Sequence, residues 1–143
     1  MNLASRQKAV VDEFSGLNSW EDRYKHLIEL GKALPALPDE KKLEDYRIKG
    51  CQSQVWMHAR LENGQVVFEA DSDALLVRGL VALLLRVYSG GTPAEILTTA
   101  PDFVQEIGLE NKLSPSRANG LFAMIKQMKF YALAFSHASK TTL

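Results

Sequence analysis

The sequence predicts an α+β fold, a small antiparallel β-sheet with helices packed on one of its faces. Three observations predict it. Alternating apolar residues flank Asn63-Gly64, the strongest short signal for a tight hairpin. The run Ala74–Leu85 is apolar nearly all round a helix, as in a buried central helix. Apolar residues recur at helical spacing near the start of the chain and again over its last thirty residues.

Each element can be justified in turn. Leu3, Val10, Val11 and Phe14 mark a first helix over 3–14, which Gly16 ends. Ser19 is a good N-cap for a second helix, with Glu21 and Asp22 near its positive end. Trp20, Tyr24, Leu27 and Ile28 form its apolar face, and Pro35 and Pro38 close it. Residues 35–46 are charged and Pro-bearing, which suits a connector, and a short extended piece follows at 46–49. Residues 54–70 form the hairpin. With Asn63-Gly64 as its loop, Leu61 faces Val66, Ala59 faces Phe68 and Met57 faces Ala70 on one apolar side. On the other side His58 opposes Glu69 and Arg60 opposes Val67. Asp71-Ser72-Asp73 reads as the cap of the central helix, over 73–89, with Arg78, Ala82 and Arg86 as one narrow polar stripe. Gly79 suits close packing on that helix, and Gly90-Gly91 stops it. Thr92-Pro93-Ala94-Glu95 is a capping box that starts a short helix over 93–99. Another short helix runs from near Pro101 to Gly108. Ser114-Pro115 opens the last helix, over 115–137, whose apolar face is Leu121, Met124, Ile125, Met128, Ala132 and Phe135, and the polar tail from Ser139 frays.

The chain has 143 residues, 46% of them hydrophobic, which is one domain's worth and enough to build a core without staples. Its 17 basic and 17 acidic residues exert no global pull on nucleic acid or anionic membrane. Arg78 interrupts the most apolar run, so no clean membrane span is expected. The N-terminus lacks the pattern of a signal peptide. The single cysteine rules out an internal disulfide and multi-cysteine metal sites, and it suits a reducing compartment. The expectation is a soluble, cytoplasmic protein.

That cysteine, Cys51, sits in Arg47-Ile48-Lys49-Gly50-Cys51-Gln52-Ser53-Gln54, among glycine and polar neighbours. A packing cysteine sits among apolar residues, so this composition reads as a loop tip, with Gly50 letting another backbone approach. Lys49 and Arg47 are close enough in sequence to favour a thiolate. The bland reading is a buried, inert thiol. A thiol hydrolase would need a histidine within hydrogen-bond reach of Cys51. His26, His58 and His137 stand in no protease-like context, and no metal-binding spacing occurs among them. Arg117 lies in the first turn of the last helix, against the macrodipole, a local conflict that hints at a tertiary or partner role.

At Gly50-Cys51-Gln52-Ser53-Gln54-Val55-Trp56 the chain resembles the SufE family of sulfur-acceptor proteins. The resemblance continues through Tyr24, Ile28-Glu29-Leu30-Gly31 and Leu34-Pro35, then Asp71-Ser72-Asp73 with Gly79-Leu80, then Ser114-Pro115-Ser116-Arg117 with Gly120-Leu121. It spans residues 19–135 of what reads as a single domain over 1–143. The Gln52-Ser53-Gln54 loop looks more like the SufE type than the CsdE-type paralogue.

The resemblance implies a SufE/IscU-like fold and a sulfur-transfer accessory protein rather than a stand-alone enzyme. It implies that Cys51 accepts a persulfide sulfur from a SufS-type cysteine desulfurase, stimulates that enzyme, and delivers the sulfur to a SufBCD-type iron–sulfur scaffold. The pyridoxal phosphate (PLP) belongs to the desulfurase, so this chain needs no cofactor. Gly50, Gln52, Ser53, Gln54, Asp73 and Arg117 match family positions and are expected to support Cys51. A homodimer is a candidate assembly. The bottom-up reading agrees, since a carrier needs one reachable thiol and no second one to discharge its persulfide. The competing expectation is a thiol-independent binding module that regulates a desulfurase. In either case the resting thiol is expected to be partly shielded by apolar neighbours, which would protect a persulfide.

Overall fold

In the computed structural model, which describes residues 2–141, strands β1 (Val55–Glu62) and β2 (Gln65–Ser72) form one antiparallel hairpin. Met57 lies opposite Ala70, Ala59 opposite Phe68 and Leu61 opposite Val66, as the apolar alternation dictates. Asn63 (φ 52°) and Gly64 (φ 79°) are both left-handed, which a two-residue loop that follows the strand twist requires. The sheet extends beyond the hairpin at both edges. Arg47 bridges Trp56, with Ile48 N–H donating to the Val55 carbonyl at 2.8 Å. Gly91 bridges Val66 on the other side, so Gly90-Gly91 both stops the preceding helix and covers part of the β2 edge.

The remaining elements are two 3-10 turns in the connector (Asp39–Lys41 and Glu44–Tyr46) and the helices α1 (Leu3–Ser15), α2 (Trp20–Ala33), α3 (Leu75–Tyr88), α4 (Pro93–Thr98), α5 (Asp102–Glu106), α6 (Leu109–Lys112) and α7 (Pro115–Thr141). The architecture is α+β, with the inner face of the hairpin packed on α3. Leu76, Leu80, Leu83, Leu84 and Val87 of α3 are buried in one core with Val55, Met57, Val66 and Phe68 of the hairpin, and Leu121, Met124, Met128 and Ala132 of α7 belong to the same core. Ser19 caps α2 by accepting from Asp22 N–H, and Thr92 with Glu95 forms the reciprocal capping box of α4. Among the described residues no helix is long and apolar enough to cross a membrane.

Five expectations need correction. Asp71-Ser72-Asp73 does not cap the central helix: β2 runs through Ser72, and α3 begins at Leu75 after Ala74, with no side-chain cap. Asp71 is 1% exposed and its carboxylate is already engaged, by Leu37 N–H at 3.0 Å, by Ser72 N–H and by the Arg78 guanidinium. Arg78 is therefore no solvent stripe. It ties α3 to the β2 end and, through the Gly31 and Leu34 carbonyls, to the end of α2. Tyr24 is exposed, so the inner face of α2 is carried by Leu27 and Gly31 instead. The separate turn α6 was not expected, because four residues are too few to show a period. Helix α7 continues through Thr141 rather than fraying at Ser139, and residues 142 and 143 lie outside the described residues.

Gly31 and Gly79 let α2 and α3 cross at close range. A Cβ on Gly79 would overlap the Leu27 carbonyl, 2.8 Å from its carbon, and one on Gly31 would stand 2.9 Å from Gly79 N. Alanine at a helix interior normally stabilises by about 1 kcal/mol over glycine. Here the obstruction is backbone, which cannot rotate away, so overpacking of about 1–3 kcal/mol should win. Gly79→Ala is expected to lower the urea midpoint; an unchanged or higher midpoint would contradict this packing.

Candidate functional site: the Cys51 loop and its cavity

The loop of residues 49–54 is pinched at its neck. On the incoming side Ile48 N–H donates to Val55. On the outgoing side Gln54 N–H donates to the Asp73 carboxylate at 3.0 Å, and Asp73 N–H donates back to the Gln54 carbonyl at 3.2 Å. Asp73 thus spends its side chain on the loop and not on a helix. Gly50 turns the chain at φ 90°, a conformation that side-chain-bearing residues rarely adopt. A Cβ there would meet only Ala123 at 3.8 Å, so the requirement is the dihedral and not the close approach expected from the sequence.

The turn drives Cys51 back onto α7. Its thiol donates to the Gly120 carbonyl at 3.6 Å. The close approach is made by Gly120, whose missing side chain would sit 3.4 Å from Sγ. Around Sγ lies a cavity of about 70 Å³, walled by Val55, Val77, Leu80, Gly120, Leu121 and Met124. That is several times the roughly 10–15 Å³ of such space needed to hold one water. Gln52, Ser53, Ser116 and Arg117 line its polar rim. The expectation of a half-shielded thiol with apolar neighbours matches this geometry.

The structure brings Cys51, Gln52, Ser53 and Arg117 to one cavity. Gly50, Gln54 and Asp73 stand outside its lining and hold the loop's shape. Arg117 takes its place because α7 starts at Pro115, with Ser114 Oγ accepting from Arg117 N–H at 3.3 Å. Sequence reasoning did not single out Gly120 or Ser116 as site residues. A glycine inside an otherwise regular helical pattern is a signal of close approach, and with the resemblance at Gly120-Leu121 it was a clue that pointed to Gly120.

Burial pushes the Cys51 thiol up from its ordinary pKa. Neither Lys49 nor Arg47 offsets this: Lys49 is exposed, and Arg47 turns to Glu44 at 3.6 Å. The resting thiol is protonated, contrary to the thiolate those cations suggested. No hydrolase arrangement surrounds it. His26 bonds Glu13 at 2.7 Å, and His58 stacks edge-on against Tyr46. His137 lies seventeen residues beyond Gly120 on α7, roughly 25 Å along the helix axis.

The sign of the pH dependence follows. Only thiolate reacts with iodoacetamide, and a raised pKa leaves less of it at neutral pH. Alkylation of the native protein should be slower than that of free cysteine, and should climb about tenfold per pH unit beyond the point where a free thiol levels off. Asp73→Ala removes the acceptor for Gln54 N–H and should speed alkylation several-fold, because the outgoing side of the neck opens. A rate equal to free cysteine in the unsubstituted protein would show that the cavity does not shield the thiol.

Comparison with known proteins finds similar chains over most of the length. A family model described as the SufE Fe-S metabolism associated domain matches residues 8–132. An uncharacterized SufE-like protein of Rhizobium etli is 46% identical over 125 residues, covering 84% of each chain. The sulfur acceptor protein CsdE of Escherichia coli is 46% identical over 113 residues, covering 78% of this chain and 77% of CsdE. A hypothetical protein of Thermus thermophilus, solved in solution, superposes with a TM-score of 0.75 at 27% identity, covering 90% of this chain and 94% of that one.

Proposed function

The chain belongs to the SufE family, and on that premise we propose that it is a sulfur acceptor for a cysteine desulfurase, with Cys51 as the accepting thiol. The observation that carries the reading is the lone cysteine of the sequence, held on a neck-pinned loop over an apolar cavity larger than its own sulfur needs.

The chemistry is thiol exchange on a sulfane sulfur. The Cys51 thiol first loses its proton to solvent or to a base of the partner. The thiolate then attacks the terminal sulfur of the desulfurase's cysteine persulfide. A sulfur–sulfur bond forms on Cys51 as the partner's sulfur–sulfur bond breaks, and the partner's cysteine leaves as thiolate. No net oxidation occurs, so no external oxidant is needed. The PLP that generates the persulfide belongs to the desulfurase. Retracted into its cavity, Cys51 persulfide would have apolar walls around its terminal sulfur, which slows oxidation. The next transfer delivers that sulfur to a SufBCD-type iron–sulfur scaffold, in a cytoplasmic, reducing compartment. Cys51, Gln52, Ser53 and Arg117 meet the incoming sulfur, while Gly50, Gln54 and Asp73 set the loop.

The test is an intact-mass measurement after incubation with a cysteine desulfurase and cysteine, without reductant. An adduct of one sulfur atom is expected, reversed by dithiothreitol and absent in Cys51→Ala. Absence of any adduct with both SufS-type and CsdA-type enzymes would leave the family match describing the fold alone.

A further inference from the structure

The acceptor loop lies along α7 and runs against its direction. Arg47, Ile48 and Lys49 flank Ala123, Gln127 and Phe130. Gly50 then passes over Ala123, Cys51 meets Gly120, and Gln52 and Ser53 reach Ser116 and Arg117. At the incoming end of the loop this line continues into a second groove, lined by Leu97, Phe122, Ile125, Phe130 and Leu133, and the two grooves share Lys126 and Phe130. Phe122, Phe130 and Leu133 are 40%, 54% and 42% exposed. They wall neither the Cys51 cavity nor the core. Large apolar side chains gathered on one exposed helix face mark interaction surfaces rather than ordinary solvent-facing positions.

We infer that this groove, with the Arg47–Lys49 segment beside it, is where the sulfur donor docks: a cysteine desulfurase presenting an apolar projection rimmed by carboxylates. The inference rests on the sulfur-acceptor reading and adds the surface that reading lacks. Two observations on the surface choose this occupant. The first is reach. Phe130 is ten residues from Gly120, about 15 Å along the helix. A protein interface of ordinary size covers about 800 Å² per partner, a disc of roughly 16 Å radius. A partner centred on Cys51 therefore covers Phe130.

The second observation is charge. The two grooves are lined by Arg47, Lys49, Lys126 and Lys129 and, among the described residues, by no carboxylate; Arg47 is paired beside them with Glu44 at 3.6 Å, so Lys49 and Lys126 carry the local positive charge. The chain as a whole is neutral, so this local excess of cations is not a bulk property. Lys129 is tied down, its ammonium donating to the Ile96 and Thr99 carbonyls at 2.7 and 3.0 Å. Lys126 stands over the Phe130 ring at 5.8 Å and remains at the groove. A second copy of this chain on the same face would set cation against cation across a twofold axis. An acidic-rimmed partner would instead gain both steering and register.

The experiment titrates a purified CsdA-type and, separately, a purified SufS-type cysteine desulfurase with the full chain and reads alanine release. Phe130→Glu should raise the half-saturating concentration at least tenfold with the cognate enzyme and leave the plateau rate in place. Lys126→Glu should raise it less and flatten its salt dependence. Both variants should load Cys51 from inorganic polysulfide as fast as the unsubstituted chain, because the cavity is untouched. Phe130 and Lys126 are exposed, and the second variant guards against misfolding of the first. Unchanged half-saturation in both variants would overturn the proposal. So would an effect confined to self-association in gel filtration, which would make a second copy the occupant. If the unsubstituted chain takes sulfur from neither enzyme, the acceptor reading itself fails, an outcome distinct from normal uptake that ignores both substitutions.

Discussion

Cys51→Ser is expected to abolish sulfur uptake entirely while leaving the protein folded and able to bind a desulfurase. The thiol is only a weak donor to the Gly120 carbonyl at 3.6 Å, so the resting loop loses little when a smaller hydroxyl replaces it. An alcohol, however, cannot stand in for a thiolate in sulfur exchange, since it is neither ionised nor a soft nucleophile near neutral pH. The readouts separate binding from chemistry. In an assay limited by reductant, the variant should compete with the unsubstituted chain for the desulfurase yet give no stimulation of alanine release and no sulfur adduct by mass. Full stimulation by Cys51→Ser would assign the effect to docking alone and leave the cysteine incidental.

Removing the carboxylate at Asp71 should cost more stability than any other single change discussed above. Asp71 is 1% exposed and neutralises Arg78, which is itself mostly buried. Breaking such a pair on one side leaves an uncompensated charge in the interior, which typically costs about 3–5 kcal/mol. For a domain of this length each kcal/mol moves the melting temperature by about 3–4 °C. Asp71→Ala should therefore melt about 10–20 °C below the unsubstituted protein by this scaling. Lys42 also approaches the same carboxylate at 3.6 Å, and Leu37 N–H donates to it, so the connector before the Cys51 loop should loosen with it. Faster alkylation of Cys51 at temperatures well below melting would be the second signature. A melting temperature within about 2 °C of the original would mean that Arg78 finds adequate compensation from the Gly31 and Leu34 carbonyls alone.

The hairpin shows why some elements were legible. Its register followed from Asn63-Gly64 and from a period of two, both local properties, and the observed pairs agree at every position predicted. The capping box at Thr92 was equally local. Asp71-Ser72-Asp73 misled for the opposite reason. The composition of a cap was present, but whether a carboxylate caps a helix depends on what else reaches it. Arg78 and Leu37 N–H took Asp71, and Gln54 N–H took Asp73, from seven to thirty-four residues away. Tyr24 was assigned inward by spacing, yet the tight glycine crossing of α2 on α3 turns it to solvent.

The α+β class, the hairpin register, the course of the long helices and the position of the single thiol were all legible in the sequence. These depend on short-range stereochemistry, on the period of apolar residues, and on there being a single cysteine. Only the tertiary structure decided the state of that cysteine. Its protonation, the volume beside it and the residues that meet it arise where a loop at 49–54 lands on a helix that starts at Pro115. Lys49 and Arg47 are neighbours of the thiol along the chain, but both are exposed and neither lines its cavity. Desolvation, which raises its pKa, comes from groups such as Leu80, Leu121 and Met124, which are distant in sequence and adjacent only in the folded chain.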